Sequence, residues 1–356
     1  MRSSKSFTFS DTLLFNHPTA QEEMSPINRE LPQIGPPDYD STNVDLSISI
    51  VNTDNRELLL GCLESIYSQD QGIEFEVLVV DNSSTDGSVE EVRRRYPKVV
   101  LSVNDERKSY AVNNNINLRL GTGRYLMLLN DDTIVFPGTL KAHVDFLDQN
   151  PEFGGTGGKM LNPDETLQLS CARSLPRLRY ELYDLLNLSD RYPDSRFFGA
   201  MRYGWWDHSA TRTIELPGEA NAVLRREVLE ETGLFDETFS IILGEGPDLY
   251  RRVRDAGYRV MFLPHASVIH FGGKTTQHMI TSTLIRSREN EWRYYRYNDG
   301  MLVAAVYRLM VVIFGVVMVC VASLRGAVVH WSWKRIAEGV RGQWTSIRWA
   351  LGLTDL

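Results

Sequence analysis

The feature that most constrains the fold is an apolar run that ends in an acidic cluster, residues 125–133 (YLMLLNDDT). A run this apolar suits a strand buried on both faces of a parallel sheet. The cluster then lies at the carboxyl end of that strand, where open α/β sheets bind ligands. Carboxylate and amide oxygens there suit a hard divalent cation that also holds substrate phosphates. The sequence therefore predicts an α/β fold with a ligand site after Leu129.

Strands and helices alternate through the first part of the chain. Short β-prone runs occur at 46–51, 75–80, 99–103 and 125–129, and helical patterns follow them, two of which cover 110–120 and 137–147. Such alternation produces right-handed βαβ units with parallel strands. A helix after Pro247 and a strand at 258–263 continue the pattern. We predict a mostly parallel sheet flanked by helices over residues 45–298.

The two ends of the chain have a different character. Residues 1–44 are rich in Ser, Pro, Asn and Glu without periodicity, which is typical of a disordered leader. Leu302 to Leu324 carries one charge, Arg308, and is long enough to span a bilayer. Beyond it, Trp333 and Trp344 lie on an apolar helical stripe with basic residues off it, a pattern typical of an interfacial helix. Residues 299–356 are therefore predicted to form a membrane-associating helical tail.

Two polar clusters that follow strands are candidates for chemistry. Asp81 can accept hydrogen bonds from the ribose or base of a nucleotide, although residues 81–84 (DNSS) are also ordinary turn residues. Residues 130–132 (NDD) in isolation would indicate a turn with a helix cap. Their place after a buried strand and downstream of Asp81 instead favours a ligand site. A nucleic-acid ligand is not expected, because the net charge is −8 and the first 280 residues contain no basic stripe with interleaved aromatics.

Six segments, in this order, resemble a known family: IVNTDNRELLLGCLESI, VLVVDNSSTDGS, SYAVNNNINLRLGTGRYLMLLNDDT, GLFDETF, DLYRRVRDAGYRV and HASVIHFGGKTT. Their order and spacing between Leu46 and Thr276 resemble those of family 2 inverting glycosyltransferases with the GT-A fold. The segments are most similar to the rhamnosyltransferase-like branch, which acts on bacterial surface polysaccharides. The resemblance implies a GT-A nucleotide-sugar-binding fold and an enzyme that uses a nucleoside diphosphate sugar as donor.

The resemblance also implies roles for individual residues. The donor would be bound by polar residues around the strand ends: Thr53, Asn55, Asp81, Asn114, Asn115 and Asp131. A divalent cation, Mg²⁺ or Mn²⁺, would be held at Asn130 and Asp132, the outer positions of a D-x-D-like motif. Asp132 is the expected direct ligand, because an asparagine carries no charge. His270 matches a family histidine near the diphosphate or metal, and the alternative for His270 is a structural role after a strand.

The chain departs from the family pattern at the general base. The family usually has Glu-Asp-x-Asp-Leu before a helix, with the second residue as base, whereas this chain has EGPDL at 245–249. Because an acceptor hydroxyl must lose its proton to a carboxylate, we predict Glu245 as the base, with Asp248 as the second candidate. A non-catalytic nucleotide-sugar-binding relative that lost its base at Gly246 is an alternative. A nucleotidyltransferase is a further alternative. It would normally require a Gly-rich phosphate loop with a basic residue near the first strand, where this chain has VNTDN at 51–55.

The partners follow from this interpretation. We expect a nucleotide sugar as donor and a saccharide or lipid-linked saccharide as acceptor. The irregular region 163–222, including the loop 217–219 (PGE), would shape the acceptor side. The tail would hold the protein at the cytoplasmic face of a bacterial cell membrane, by peripheral or shallow insertion in preference to spanning.

Overall fold

The computed structural model describes residues 29–35, 43–239, 244–272, 280–328 and 344–353. The chain divides into residues 1–30, of which Arg29 and Glu30 are described, and residues 31–356. All that follows concerns the second part.

The first half of the fold alternates strands with helices, as the sequence pattern predicts. Its elements are β1 (Leu46–Asn52), α1 (Arg56–Tyr67), β2 (Phe75–Asp81), α2 (Ser88–Arg95), β3 (Val100–Val103), α3 (Tyr110–Leu120), β4 (Tyr125–Asn130), β5 (Thr133–Val135), α4 (Thr139–Gln149) and β6 (Phe153–Leu161). A short 3₁₀ helix, Leu169–Cys171, follows β6.

The second half contains shorter elements and then long helices. They are β7 (Ala172–Arg173), α5 (Leu178–Leu185), α6 (Leu188–Arg191), β8 (Arg212–Ile214), β9 (Leu216–Pro217), β10 (Asn221–Arg225), α7 (Arg226–Thr232), α8 (Glu245–Asp255), β11 (Arg259–His270), α9 (Ile280–Asn298) and α10 (Met301–Val328). The predicted strand at 258–263 is thus the first half of the longer β11. The predicted helix after Pro247 begins two residues earlier, at Glu245.

One large sheet organises these elements, in the order β3-β2-β1-β4-β10-β6-β11-β5, with β8 also paired to β11. The strands β1 to β4 pair in parallel, and β6 is parallel to β11. β10 runs antiparallel between β4 and β6, and β5 and β8 run antiparallel to β11. The sheet is therefore mostly parallel, and the predicted fold class is confirmed.

The core lies on both faces of the central strands. Every residue of the apolar run from Tyr125 to Leu129 is at most 3% exposed. Ile48 and Ile50 of β1 and the apolar side of α1 are buried in the same cluster. Because helices cover both faces, these strands have no solvent side and need no polar alternation. Polar side chains therefore concentrate at the strand ends.

The C-terminal helices pack together through aromatic side chains. The rings of Tyr295 and Tyr307 lie 5.3 Å apart, and the guanidinium of Arg308 lies 4.1 Å from the ring centre of Trp292. The apolar C-terminal helix predicted from the sequence is confirmed, but it is attached to α9 by this packing. Met301–Cys320 is long and apolar enough to cross a membrane, judged by length and composition alone.

Two sequence predictions fall partly outside the described residues. Of the predicted leader, residues 1–28 and 36–42 are not described, whereas residues 31–35 are. The carbonyl of Pro32 accepts a hydrogen bond from the Leu234 amide, and Ile34 is buried in the core. Of the predicted interfacial helix, residues 329–343 lie outside the described part, and residues 344–350 are helical.

Candidate active site

A cavity of about 550 Å³ opens where β1 and β4 end and where α3 and α8 begin. Its walls include most of the predicted donor and metal residues. The lining residues that the argument uses are Thr53, Asn55, Tyr110, Asn114, Asn130, Asp131, Asp132, Arg173, Glu219, Glu245, Gly246 and His270.

Strand register brings the polar residues of β1 and β4 together. Val51 pairs with Asn130, so the residues that follow each strand meet at one edge of the sheet. The amide Nδ2 of Asn55 donates to Asp131 Oδ2 at 3.2 Å. Burial, together with the neighbouring charge of Asp132, raises the pKa of Asp131 to about 7.

A second pair of strands places a histidine beside the acidic cluster. β5 pairs antiparallel with β11, and this register sets His270 against Thr133. As a result His270 Nε2 lies 3.2 Å from Asp132 Oδ1 and 3.1 Å from Asn130 Nδ2. The other oxygen, Asp132 Oδ2, accepts a hydrogen bond from the Gly272 amide at 2.9 Å. Although burial opposes the change, His270 and this amide hold the pKa of Asp132 below its ordinary value.

Gln168 orients the imidazole of His270. Its Oε1 lies 2.9 Å from His270 Nδ1, and its Nε2 donates to the His270 carbonyl at 2.6 Å. In the tautomer that donates the Nδ1 proton to Gln168, Nε2 is the nitrogen that faces Asn130 and Asp132 and can serve as a metal ligand. A hydrogen bond of this kind from the remote ring nitrogen is the usual way in which proteins orient a metal-binding histidine.

The arrangement fits a divalent cation that is shared with a phosphate ligand. Asp132 Oδ1 is buried and makes no well-formed hydrogen bond beyond its 3.2 Å contact with His270 Nε2, which is costly unless a positive group binds it. Among the described residues there is no group of three or more His, Cys, Asp and Glu side chains that could hold a metal alone. A cation at Asp132, with Asn130 and His270 beside it, would therefore take its other ligands from diphosphate and water, as Mg²⁺ commonly does.

Two predicted donor residues lie outside the cavity wall. Asp81 is 1% exposed, and its two oxygens accept hydrogen bonds from Asn52 Nδ2 at 2.8 Å and from the Ser84 amide at 2.9 Å. Asn115 is fully buried and bonds the backbone of Phe235 in both directions. In this structure both side chains shape the loops around the cavity. The roles in donor binding that the sequence assigns to them stay predictions.

Asp248, the second candidate base, also points away from the cavity. Its side chain is fully buried and lies 3.0 Å from Arg252 Nε and 3.0 Å from Asn298 Nδ2. These contacts tie α8 to the end of α9. A carboxylate held in this way is suited to a structural role, and Asp248 is not among the residues that line the cavity.

Glu245 and Glu219 form the wall of the cavity on the side of α8. Burial raises the pKa of Glu245, at the first residue of the helix, to about 7. Glu219, in the turn between β9 and β10, has its pKa raised to about 8 by burial and by the charge of Glu245. Tyr110 and Arg173 line the cavity near Glu219, and Arg173 is the one Arg or Lys among the described lining residues.

Sequence reasoning missed several residues of this site. Gln168, Tyr110 and Arg173 give no signal in the sequence, because each is an ordinary residue in an ordinary segment. Glu219, predicted from the sequence only as part of the acceptor-side loop 217–219, does give one: it is a lone charge in the otherwise uncharged stretch 216–224 (LPGEANAVL). Charged side chains are almost never fully buried unless they are paired. A charge in such a stretch, just before a buried strand, is therefore a candidate functional group.

Comparisons with known proteins identify the class. The sequence model of "Glycosyl transferase family 2" matches residues 47–203. The O-antigen biosynthesis protein RfbC of Myxococcus xanthus is 29% identical over 228 residues, which are 63% of this chain and 17% of RfbC. The N-acetylglucosaminyl-diphospho-decaprenol L-rhamnosyltransferase of Mycobacterium tuberculosis is 27% identical over 239 residues, 61% of this chain and 76% of that protein.

A solved structure supports the fold. The crystal structure of GalNAc-T7 with UDP, GalNAc and Mn²⁺ matches with a TM-score of 0.51 and 15% sequence identity, over 72% of this chain and 51% of that one. The mostly parallel sheet and the cavity at its carboxyl edge define a protein of the GT-A glycosyltransferase type. The chain is similar to glycosyl transferase family 2 over residues 47–203, and its curated relatives include a rhamnosyltransferase. The family predicted from the sequence segments is confirmed.

Proposed function

We propose that this protein is an inverting glycosyltransferase that moves a sugar from a nucleoside diphosphate sugar to a saccharide or lipid-linked saccharide acceptor. The reaction would serve the synthesis of a bacterial surface polysaccharide. One observation carries the proposal: a single cavity has Asn130, Asp132 and His270 on one wall and two carboxylates, Glu219 and Glu245, on another.

The first wall suits the leaving group. Asp132, Asn130 and His270 would hold a divalent cation, and Gln168 keeps the imidazole lone pair available for it. When bound, that cation supplies positive charge against the diphosphate that leaves the sugar. The GalNAc-T7 structure, which has a similar fold, was determined with UDP and Mn²⁺.

The second wall suits the acceptor. In a single displacement the acceptor hydroxyl attacks the sugar carbon from the face opposite the leaving diphosphate, so the configuration inverts. A carboxylate must then take the hydroxyl proton, and positioned proton transfer of this kind contributes roughly 10²–10⁴-fold to rate. Glu219 and Glu245 both line the cavity and both have raised pKa values, which suits them to accept a proton near neutral pH.

The C-terminal helix supports a membrane-bound acceptor. One face of α10 packs on α9, while Leu302, Leu309 and Ile313 on the helix are 79%, 57% and 55% exposed. Exposed apolar patches of this kind mark membrane or protein contact sites. The named acceptor of the mycobacterial relative is a diphospho-decaprenol, a lipid. We place the protein at the cytoplasmic face of the cell membrane, held by shallow insertion of this face.

Gly246 favours a second candidate function, a relative that binds a nucleotide sugar without transferring it. The family position of the base has no side chain in this chain. A transfer assay with isotope-labelled donor separates the two functions. Transfer by the wild-type protein supports the enzyme, whereas donor binding without transfer to any saccharide or lipid-linked acceptor supports the binding relative.

The donor and metal half of the proposal is tested by thermal unfolding. A panel of nucleoside diphosphate sugars is added with Mn²⁺ or with EDTA, and the correct donor should raise the melting temperature by mass action in the presence of Mn²⁺. Asp132→Asn, which keeps the shape but removes the charge, should abolish the dependence on Mn²⁺. Asp145→Asn is the matched control, because Asp145 is an exposed carboxylate paired with Lys141. Donor stabilisation that ignores EDTA in the wild type would remove the metal from the proposal.

A further inference from the structure

Glu219 occupies the space of the side chain that Gly246 lacks. A Cβ built on Gly246 would overlap Glu219 Oε1 and would lie 2.7 Å from its Cδ and 3.2 Å from Oε2. Real Cβ atoms do not approach other heavy atoms this closely, so residue 246 must be glycine while Glu219 keeps this position. The two residues therefore compete for one volume, on the wall of the cavity.

The consequence is that the Glu219 carboxylate lies where a side chain at position 246 would begin, on the wall of the cavity. In a chain with a side chain at residue 246, that group would reach the cavity from the start of α8. Here a carboxylate reaches that volume from the turn between β9 and β10. Gly246 and Glu219 are thus complementary: residue 246 has no side chain, and the Glu219 carboxylate fills the space that a side chain there would need.

The surroundings of Glu219 are suited to a group that changes protonation. Oε1 is buried without a hydrogen-bond donor, while the nearby Tyr110 hydroxyl acts to lower the pKa of the carboxyl. The other titratable or charged groups that act on it are Glu245, Arg173 and Tyr250, and burial is the largest influence. Burial and Glu245 raise the pKa of Glu219, and Arg173 opposes the rise. A buried polar atom without a partner needs an explanation, and a proton exchanged with a substrate supplies one.

We propose that Glu219 is the general base of the transfer reaction, in the place of a carboxylate at position 246. This inference rests on the proposed function. As the acceptor oxygen forms its bond to the sugar carbon, the acceptor proton passes to the Glu219 carboxylate. The bond from the sugar carbon to the phosphate oxygen breaks, and its electron pair leaves with the nucleoside diphosphate. Glu219 is then a neutral acid and returns its proton to water after product release.

Glu245, the base predicted from the sequence, has a different part in this arrangement. It lies in the first turn of α8, next to Gly246, and is 4% exposed. Its negative charge disfavours ionisation of Glu219 and so makes the Glu219 carboxylate more basic than it would be alone. Glu245 is therefore a positioning residue, which acts through the electrostatics of Glu219.

The test exchanges the two side chains. Glu219→Gln should lower kcat by roughly 10²–10⁴-fold with donor affinity unchanged, because the base is lost and the shape is kept. Gly246→Asp alone should lower both activity and stability, because its Cβ overlaps Glu219. The double variant Glu219→Ala/Gly246→Asp should recover at least tenfold over Glu219→Ala, because the Asp then enters the vacated volume. Glu152→Gln, an exposed residue paired with Arg259, is the control for the loss of one charge.

The outcomes separate the failure of this inference from failure of the proposed function. Donor binding and transfer are measured for every variant, and melting temperatures identify any variant that does not fold. Full transfer by Glu219→Gln, loss of donor binding by Glu219→Gln, or no recovery in a folded double variant each overturns the role of Glu219 and leaves the proposed function standing. A wild-type protein that neither binds nor transfers any nucleotide sugar overturns the proposed function, and this inference with it.

Discussion

Asp132 Oδ1 and His270 Nε2 lie 3.2 Å apart, where the turn before β5 meets the end of β11. The carboxylate is held by the Gly272 amide and the imidazole by Gln168, so both partners are oriented from outside the pair. Groups oriented in this way need little rearrangement when a ligand binds. Both residues line the cavity that Glu219 and Glu245 also line.

Substitution of Gln168 should weaken metal binding, although Gln168 is not one of the proposed metal ligands. In Gln168→Leu the His270 ring loses the acceptor for its Nδ1 proton, and metal affinity should fall roughly 10–100-fold, the usual effect of removing such a partner. Gln168→Glu retains an acceptor oxygen and should recover most of the affinity. Titration of Mn²⁺ at saturating donor, followed by calorimetry, gives the affinities. Equal behaviour of the two variants would contradict the orienting role.

The rate of transfer should depend on pH through Glu219. Burial and Glu245 raise the pKa of Glu219 to about 8, and a base works only when it is ionised. Activity should therefore rise as pH rises through about 8 and be lost below it. In kcat/KM profiles this rise should vanish from the residual activity of Glu219→Gln. A profile of Glu219→Gln that keeps the wild-type rise would assign it to another group.

Asp248→Ala should destabilise the fold strongly, because it leaves Arg252 without its buried carboxylate. Breaking one partner of a buried pair costs about 3–5 kcal/mol. Asp255→Ala on the same helix is the matched control: its partner Arg251 also lies four residues away, but Asp255 is half exposed, so about 1 kcal/mol or less is expected. Urea unfolding measures both values.

Asp248→Asn separates structure from chemistry at the same position. The amide keeps the shape and one acceptor oxygen, so protein that remains folded should transfer at nearly the wild-type rate. A folded Asp248→Asn protein without transfer would instead support Asp248 as the base.

The exposed face of α10 should carry membrane binding. Replacing Leu302, Leu309 and Ile313 with glutamine removes exposed apolar area while leaving the face packed on α9 unchanged. Binding to lipid vesicles should fall on the order of 100-fold or more, from roughly 1 kcal/mol lost at each side chain. Val100→Thr/Val103→Thr, which replaces two exposed valines of the edge strand β3, is the control. Undiminished sedimentation of the triple variant with vesicles would contradict this assignment.

The sequence alone determined the parallel sheet and the polar edge at the end of β4. An apolar run that predicts a strand buried on both faces can be recognised locally in the sequence. The positions of Asn130 and Asp132 follow from where that run ends. Thr53, Asn55 and Asn114, to which the family resemblance assigns donor binding, line the cavity, and their role in donor binding stays a prediction. The burial of Asp81 and Asn115 was not predictable, since it depends on loop contacts with Ser84 and Phe235.

Only the tertiary structure decided which groups face one another across the cavity. Gln168 and His270 are 102 residues apart in the chain. His270 ends β11, whereas Gln168 lies in the region after β6, where the sequence has no periodicity. In the sequence, Gly246 reads as the absence of the usual base. In the structure, the Glu219 carboxylate fills the space that a side chain at residue 246 would need. Spacing along a chain predicts which side chains share a face of an element. The meeting of two loops depends on the packing of the whole domain.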